Sequence, residues 1–165
     1  MIINLRDWCL DVDIAATVKF SEILKTDHCE CGYCRNYYQV VRNSYPELSV
    51  FLSELGVDLE APVDFLPVEP TLCVVSYAIA GRIITPGKLP IYVGDMPLTV
   101  QQKELLDYTL DFSEPYFVIT TDYLELPWIL DEDMDQVVSP ANEPECMERM
   151  YRKLLQKAEF DSLLM

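Results

Sequence analysis

The sequence predicts a single domain, residues 1–165, of the α+β class, in which an αα-hairpin and a C-terminal helix pack on a mainly antiparallel sheet. Three observations lead to this prediction. The length of 165 residues suits one ordinary domain, and half of the residues are hydrophobic, which is enough for a core. Strand-like and helix-like segments also occur in blocks, without the regular strand–helix alternation of a parallel sheet.

The first third of the chain is predicted to contain one strand and three helices. In residues 8–14 every second side chain is apolar and the others are cysteine or aspartate, which indicates a half-buried strand with an acidic outer face. Residues 15–25 are predicted to form a short helix, and residues 35–44 a second. A third helix is predicted to begin at Pro46 and to end before Gly56, which suits a left-handed C-cap. The last two helices would form the αα-hairpin.

The middle of the chain is predicted to supply the other strands of the sheet. Residues 71–85 are rich in Val, Ile and Tyr and lack helix signals, which indicates a central strand. Residues 91–93 and 116–126 are predicted to be further strands. Two prolines within residues 64–70 favour a connector there. A capping-box pattern predicts a helix over residues 99–108.

A C-terminal helix is predicted from the pattern that follows Asn142. Asn142 with Glu145 three positions later is a capping-box signal. Acidic residues open this helix and basic residues close it, as the helix macrodipole favours. Its apolar side chains form one stripe, which consists of Met147, Met150, Tyr151, Leu154, Leu155 and Ala158.

A cluster of cysteines between the first two predicted helices is the sharpest local feature of the sequence. His28, Cys29, Cys31 and Cys34 place four soft ligands within a short stretch of chain. Thiolate sulfur and imidazole nitrogen are the ligands that tetrahedral zinc prefers, and the spacing of Cys31 and Cys34 is the usual turn that brings two sulfurs to one ion. These four residues are therefore the candidate metal ligands, and zinc is the candidate cofactor.

Two other interpretations of the cysteine cluster stay open. A strong zinc signature pairs two such clusters far apart in the chain and this sequence has one, so plain reduced cysteines at a helix N-terminus are the commoner case. A thiol-redox role needs a lowered pKa, which a helix N-terminus and Arg35 favour but the acidic surroundings oppose. The fourth metal ligand is also open, between His28, Cys9, Cys73, Cys146 and a carboxylate.

Most enzyme templates are excluded by the residues that the chain lacks. His28 is the only histidine, which excludes multi-histidine metal sites and leaves a Ser-His-Asp triad only if His28 serves in it. The five glycines form neither a dinucleotide fingerprint nor a phosphate-binding loop. Residues 131–135 resemble the start of a calcium-binding loop whose glycine and final glutamate are missing. Asp11 and Asp13 share a strand face and remain candidates for a hard-cation or paired-carboxylate site.

The formal net charge of -16 is concentrated in one part of the chain. Residues 104–148 contain 13 acidic residues and no Lys, Arg or His. Such a surface repels phosphate backbones and anionic lipids, so binding to nucleic acid or to a membrane is not expected. The stretch is either a solvated face or a docking surface for a protein with a basic surface. The candidate partner-binding residues are Asp131, Glu132, Asp133 and Asp135.

The sequence carries no pattern for membrane insertion or export. The longest charge-free stretch in the hydrophobic middle of the chain, residues 70–81, ends at Arg82. It is well short of the about 20 apolar residues that span a bilayer. The N-terminus lacks a basic leader followed by an apolar stretch. Six cysteines without an export signal favour a reducing compartment, so the sequence predicts a cytoplasmic protein.

Two short motifs complete the sequence interpretation. The first is CxCxxCRNY at residues 29–37 and the second is LPWILDE at residues 126–132, with Pro46 and residues 55–58 between them. In these motifs the chain resembles a group of small uncharacterised proteins from Gram-positive bacteria, which implies a bacterial cytoplasmic protein but no particular activity. The sequence therefore predicts a non-enzymatic protein-interaction module with an acidic docking surface. The alternative is a small zinc-binding or thiol-redox protein that uses the cysteine cluster.

Overall fold

The computed structural model describes residues 1–26, 29–106 and 110–132. This part of the chain forms three α-helices and an eight-stranded sheet with antiparallel pairings, so the α+β prediction is confirmed. The helices are α1 (Ile14–Thr26), α2 (Gly32–Ser44) and α3 (Pro46–Glu54), and a 3-10 turn covers Lys103–Leu105. The strands are β1 (Ile2–Leu5), β2 (Trp8–Val12), β3 (Asp64–Glu69), β4 (Leu72–Thr85), β5 (Ile91–Val93), β6 (Met96–Gln102), β7 (Tyr116–Thr121) and β8 (Leu124–Glu125).

Strand β4 is the centre of the sheet, as its run of Val, Ile and Tyr predicts. The strand order is β1-β2-β4-β7-β6-β5, and β3 and β8 also pair with β4. Along one edge β4 pairs first with β3 and then with β2, and the change of partner occurs near Gly81. Gly81 has a φ of +140°, and a Cβ atom there would collide with the carbonyl oxygen of Asp11. Glycine is therefore required where β2 and β4 approach each other.

Helices cover both faces of β4. Val75, Tyr77 and Ile79 face one hydrophobic cluster, to which α2 and α3 contribute. Ala78 and Ala80 face a second cluster with α1 and the segment before β7. The alternation of side chains along a strand accounts for this division. The N-terminal end of α2 packs on the first cluster, and it lies at the border between that cluster and the solvent.

Two sequence predictions are wrong. Residues 64–70 are not a connector, because residues 64–69 form β3; among the described strands β3 pairs only with β4, so Pro67 lies on an edge where its missing N–H is tolerated. Residues 99–106 do not form the predicted α-helix, and residues 107 and 108 lie outside the described residues. Leu98 and Val100 alternate into the core and pair with β7, so β6 extends through residue 102 before the 3-10 turn.

Other predictions are confirmed or refined. All three N-terminal helices are present, although α2 begins at Gly32, three residues before its predicted start. Gly56 follows α3 with a φ of +86°, as expected for a left-handed C-cap. The predicted strand over 116–126 is divided into β7 and β8, and β1 was not predicted. The predicted C-terminal helix lies outside the described residues, and within them no helix is long and apolar enough to cross a membrane.

Candidate metal centre and the segment that contacts it

Three of the four predicted metal ligands lie together. The sulfur atoms of Cys29, Cys31 and Cys34 are all within 4.8 Å of one another. In a tetrahedral zinc site with bonds of about 2.3 Å, neighbouring sulfurs are about 3.8 Å apart. Small side-chain movements are therefore enough to bring the three sulfurs to one ion.

The start of α2 explains why the sulfurs converge. Cys31 is the N-cap residue, with extended backbone angles of -64° and 161°, and its carbonyl oxygen accepts a 2.9 Å hydrogen bond from the amide of Arg35. Cys34 lies in the first helical turn, and Cys29 lies in the segment that precedes the helix. The three thiols thus lie at the positive end of the helix macrodipole, which favours thiolates.

The cluster is buried on one side and open on the other. Cys29 is 7% exposed and Cys34 is 2% exposed, and both belong to the hydrophobic core. Cys31 is half-buried. A metal ion or a thiol reagent would therefore reach the sulfurs from the side of Cys31.

Tyr38 lies against the same cluster, one turn beyond Cys34. Its hydroxyl donates a 3.0 Å hydrogen bond to the carbonyl oxygen of Cys29. Burial, and then the proximity of Cys34 and Cys29, raise the pKa of Tyr38 far above its ordinary value. The phenol therefore remains protonated and fixes the segment that carries Cys29 to α2.

The other proposed ligands do not join the cluster within the described residues. Cys9 lies on β2 and Cys73 on β4, and neither belongs to the group of convergent sulfurs. Burial raises the pKa of the Cys73 thiol to about 12, as for a thiol of the core. His28 and Cys146 lie outside the described residues, so the prediction that His28 is a ligand remains a prediction.

A segment that we call the strap (residues 126–132) packs on the first turns of α2. The ring of Trp128 meets the ring of Tyr33 edge to face, with centroids 6.0 Å apart. Asn36, which is 2% exposed, holds the backbone on both sides of Trp128. Its Nδ2 donates a 2.9 Å hydrogen bond to the carbonyl oxygen of Pro127, and its Oδ1 accepts a 2.8 Å bond from the amide of Ile129.

Arg35 links the strap to the cysteine segment. Its Nε donates a 2.8 Å hydrogen bond to the carbonyl oxygen of Glu30, which lies between two of the cysteines. Its Nη2 forms a 2.5 Å ion pair with Glu132. The indole nitrogen of Trp128 also donates a 3.2 Å bond to the carbonyl oxygen of Glu132. The two sequence motifs are therefore in direct contact, although about 90 residues separate them.

The predicted partner-binding residues are described only in part. Asp131 and Glu132 are exposed, and Asp133 and Asp135 lie outside the described residues. All seven described acidic residues between 104 and 132 are exposed, and of these seven only Glu132 forms an ion pair within the described part of the chain. They are Glu104, Asp111, Glu114, Asp122, Glu125, Asp131 and Glu132.

Asp11 and Asp13 have structural partners. Asp11 pairs with the N-terminal amine of the chain at 3.2 Å, and Asp13 caps α1 by accepting a 3.0 Å hydrogen bond from the amide of Ala16. Both border a hollow of about 210 Å³ together with Glu114 and Arg82. The carboxylates do not converge as metal ligands do, since among the described residues only the cysteines form such a group.

The cysteine spacing identifies this centre in the sequence, whereas the roles of Asn36 and Tyr38 are visible only in the structure. Asn36 was part of the first motif, but nothing in its spacing indicates contact with the second. Comparison of the chain with protein-family models, curated proteins and solved structures finds no significant match.

Proposed function

We propose that the protein is a small zinc-binding protein in which Cys29, Cys31 and Cys34 hold a structural zinc ion. The observation that carries this proposal is the convergence of three sulfurs within 4.8 Å at the N-terminus of α2. Three thiolates favour zinc over hard cations such as magnesium or calcium, which prefer oxygen ligands. His28, the adjacent residue in the sequence, is the proposed fourth ligand.

A structural role fits this position better than a catalytic one. Two of the three cysteines, Cys29 and Cys34, are buried and belong to the larger hydrophobic cluster of the core. An ion bound there would join the segment of Cys29 to the first turn of α2, where the helix packs on the sheet. Its binding free energy would then contribute to folding, as it does at other structural zinc sites.

The test is a metal and thiol analysis of the full chain, purified under reducing conditions without chelators. We expect about one zinc ion per chain, and three thiols that react with a thiol reagent only after a chelator is added. Cys31→Ser should lower the zinc content severalfold, whereas Cys9→Ser on β2 should not change it. Absence of zinc from the purified protein, together with a reactivity of the three thiols that is the same with and without a chelator, would refute the proposal.

A second candidate function is docking of a basic protein to the acidic surface. It is supported by the exposure of all seven described acidic residues between 104 and 132, six of which have no ion pair within the described part of the chain. An acidic surface of this kind accelerates association with a basic partner, and salt weakens the attraction.

Retention on immobilised polylysine tests whether the acidic surface is concentrated in this region. The triple variant Asp131→Asn/Asp133→Asn/Asp135→Asn should elute at a lower salt concentration than the wild-type protein. The control is Glu22→Gln/Glu47→Gln/Glu54→Gln, which removes three exposed charges from α1 and α3. An equal shift for both variants would show that only the net charge matters.

A further inference from the structure

We propose that metal binding at the cysteine cluster controls the docking of the strap on α2. This inference rests on the proposed zinc site. Loss of the metal would loosen the first turn of α2 and release the strap, including the acidic residues Asp131 and Glu132 at its end. The structural basis is that one helical turn provides both a metal ligand and the contacts of the strap.

The order of residues along α2 couples the two sites. Tyr33 and Asn36 are three positions apart and lie on the same side of the helix, where both contact the strap. Cys34 lies between them in sequence, and Arg35 contacts both Glu30 and Glu132. The first turn of α2 therefore cannot unwind without moving the side chains that hold the strap.

The helix start is also a place where a metal would have a large local effect. Cys31 occupies the N-cap and Cys34 the third helical position, which are the two positions that a capping box links with side-chain hydrogen bonds. A thiol is a much weaker acceptor than the oxygen atoms that usually cap helices. In addition, Gly32 occupies the first helical position, where its conformational freedom opposes helix formation. A metal that joins Cys31 to Cys34 would link the same two positions of the helix start that a capping box links.

Release of the strap would change the surface around Trp128. In the docked state the indole is half-buried against Tyr33. In the released state both rings would be exposed, and Glu132 would lose its ion pair with Arg35. The metal would thus regulate both the exposure of an aromatic pair and the ion pairing of Glu132.

Thermodynamic linkage gives the proposal a reciprocal consequence. If the metal stabilises the docked strap, the docked strap must increase the affinity for the metal by the same factor. Asn36→Ala, which removes both backbone hydrogen bonds to the strap, should therefore weaken zinc binding by about tenfold, a typical coupling between two sites. Asn43→Ala is the matched control, because Asn43 is exposed near the other end of the same helix.

Hydrogen exchange of the full chain, zinc-loaded and chelator-treated, tests the coupling. We expect the amide of Ile129 to exchange at least tenfold faster after chelation, while the amides of β4 remain protected. In Asn36→Ala the strap should exchange rapidly in both states although zinc still binds, and Asn43→Ala should behave like the wild-type protein. Glu132→Gln, which removes only the ion pair, provides a milder second variant if Asn36→Ala fails to fold.

Each outcome has a distinct meaning. No binding of zinc would refute the proposed function itself. Binding of zinc with unchanged exchange in the strap would refute the coupling and leave the zinc site intact. Loss of protection in β4 to the same extent as in the strap would also overturn the coupling, because the strap would then open only when the whole domain unfolds.

Discussion

The phenol oxygens of Tyr37 on α2 and Tyr77 on β4 are hydrogen bonded to each other inside the core. Tyr37 uses its single proton in a 2.7 Å bond to the carbonyl oxygen of Leu59, so Tyr77 is the donor in the bond between the two rings. This chain of hydrogen bonds connects the helix that carries the cysteine cluster to the central strand and to the loop after α3.

The direction of these bonds predicts that Tyr37→Phe is more damaging than Tyr77→Phe. Loss of the Tyr37 hydroxyl leaves both the Tyr77 hydroxyl and the Leu59 carbonyl without their partner, at a cost of about 2–4 kcal/mol. Loss of the Tyr77 hydroxyl removes only one donor, at a cost of about 1 kcal/mol. Urea denaturation of both variants measures the difference, and equal destabilisation would contradict the assigned direction.

Stability is predicted to fall in alkaline solution. Burial raises the pKa of Cys73 from 9.0 to about 12 and raises the pKa values of Tyr37 and Tyr77 above 10.0. The folded state therefore holds these protons more tightly than the unfolded state. The contribution of these groups to the free energy of unfolding is complete below about pH 9 and is lost as the pH rises further. The urea midpoint should decrease from about pH 9 upward.

Tyr77→Phe provides the control for this pH dependence. The variant lacks one of the groups with a raised pKa, so its stability should fall less steeply above about pH 10 than that of the wild-type protein. Parallel pH profiles for the two proteins would show that Tyr77 does not contribute to the alkaline loss.

Asp58 is predicted to be the most important member of a surface ion-pair network. It contacts Lys25 at 2.5 Å and Arg42 at 2.7 Å, and it accepts a 3.0 Å hydrogen bond from the amide of Glu60. Burial opposes its ionisation, but these contacts hold its pKa below the ordinary value. Asp58→Asn should cost about 1 kcal/mol at neutral pH, and Lys25→Met about half as much.

The contribution of Asp58 should vanish in acid. Because its pKa is lower in the folded state, its stabilising effect is present above about pH 4 and is lost as the pH falls through the folded pKa. Urea midpoints of wild-type protein and Asp58→Asn should therefore converge as the pH falls further below about 4. A constant difference between them would mean that packing, not ionisation, accounts for the effect.

Gly81→Ala is predicted to destabilise the protein more than Gly56→Ala. Both glycines have a positive φ, but a Cβ at Gly81 would overlap the backbone of Asp11 in the neighbouring strand. At Gly56 the nearest atom, the carbonyl oxygen of Ile14, lies 2.7 Å away. We expect a loss of about 1–3 kcal/mol for Gly56→Ala and a larger loss for Gly81→Ala. Thermal denaturation of both variants gives the comparison.

The sequence predicts local structure well where a pattern has one interpretation. The apolar spacing and the punctuation by Pro46 and Gly56 identify α3, and the run of β-branched residues identifies β4. At β6 the capping pattern and the alternation of Leu98 and Val100 indicate different structures, and the pairing with β7 decides between them. Such pairing between distant segments is not visible in a local window.

At the candidate site, too, the local pattern could be predicted from the sequence and the contact between distant segments could not. The spacing of Cys29, Cys31 and Cys34 within six residues predicts a shared ligand, because the turn before a helix brings nearby side chains together. The contact of Asn36 with the strap could not be predicted, since 91 residues separate it from Pro127. The sequence contains both partners but no information on their distance.

The side-chain amide of Asn36 binds the strap as a peptide group of a neighbouring strand would. Its N–H donates to the residue before Trp128, and its oxygen accepts from the residue after Trp128. Both bonds end on main-chain atoms, so the alignment of the strap is encoded at position 36 and not in the side chains of Pro127 or Ile129. Relatives of this chain could therefore exchange those two side chains freely while keeping the same alignment. Asparagine at position 36 could not be exchanged, because aspartate lacks the donor and glutamine is one methylene too long.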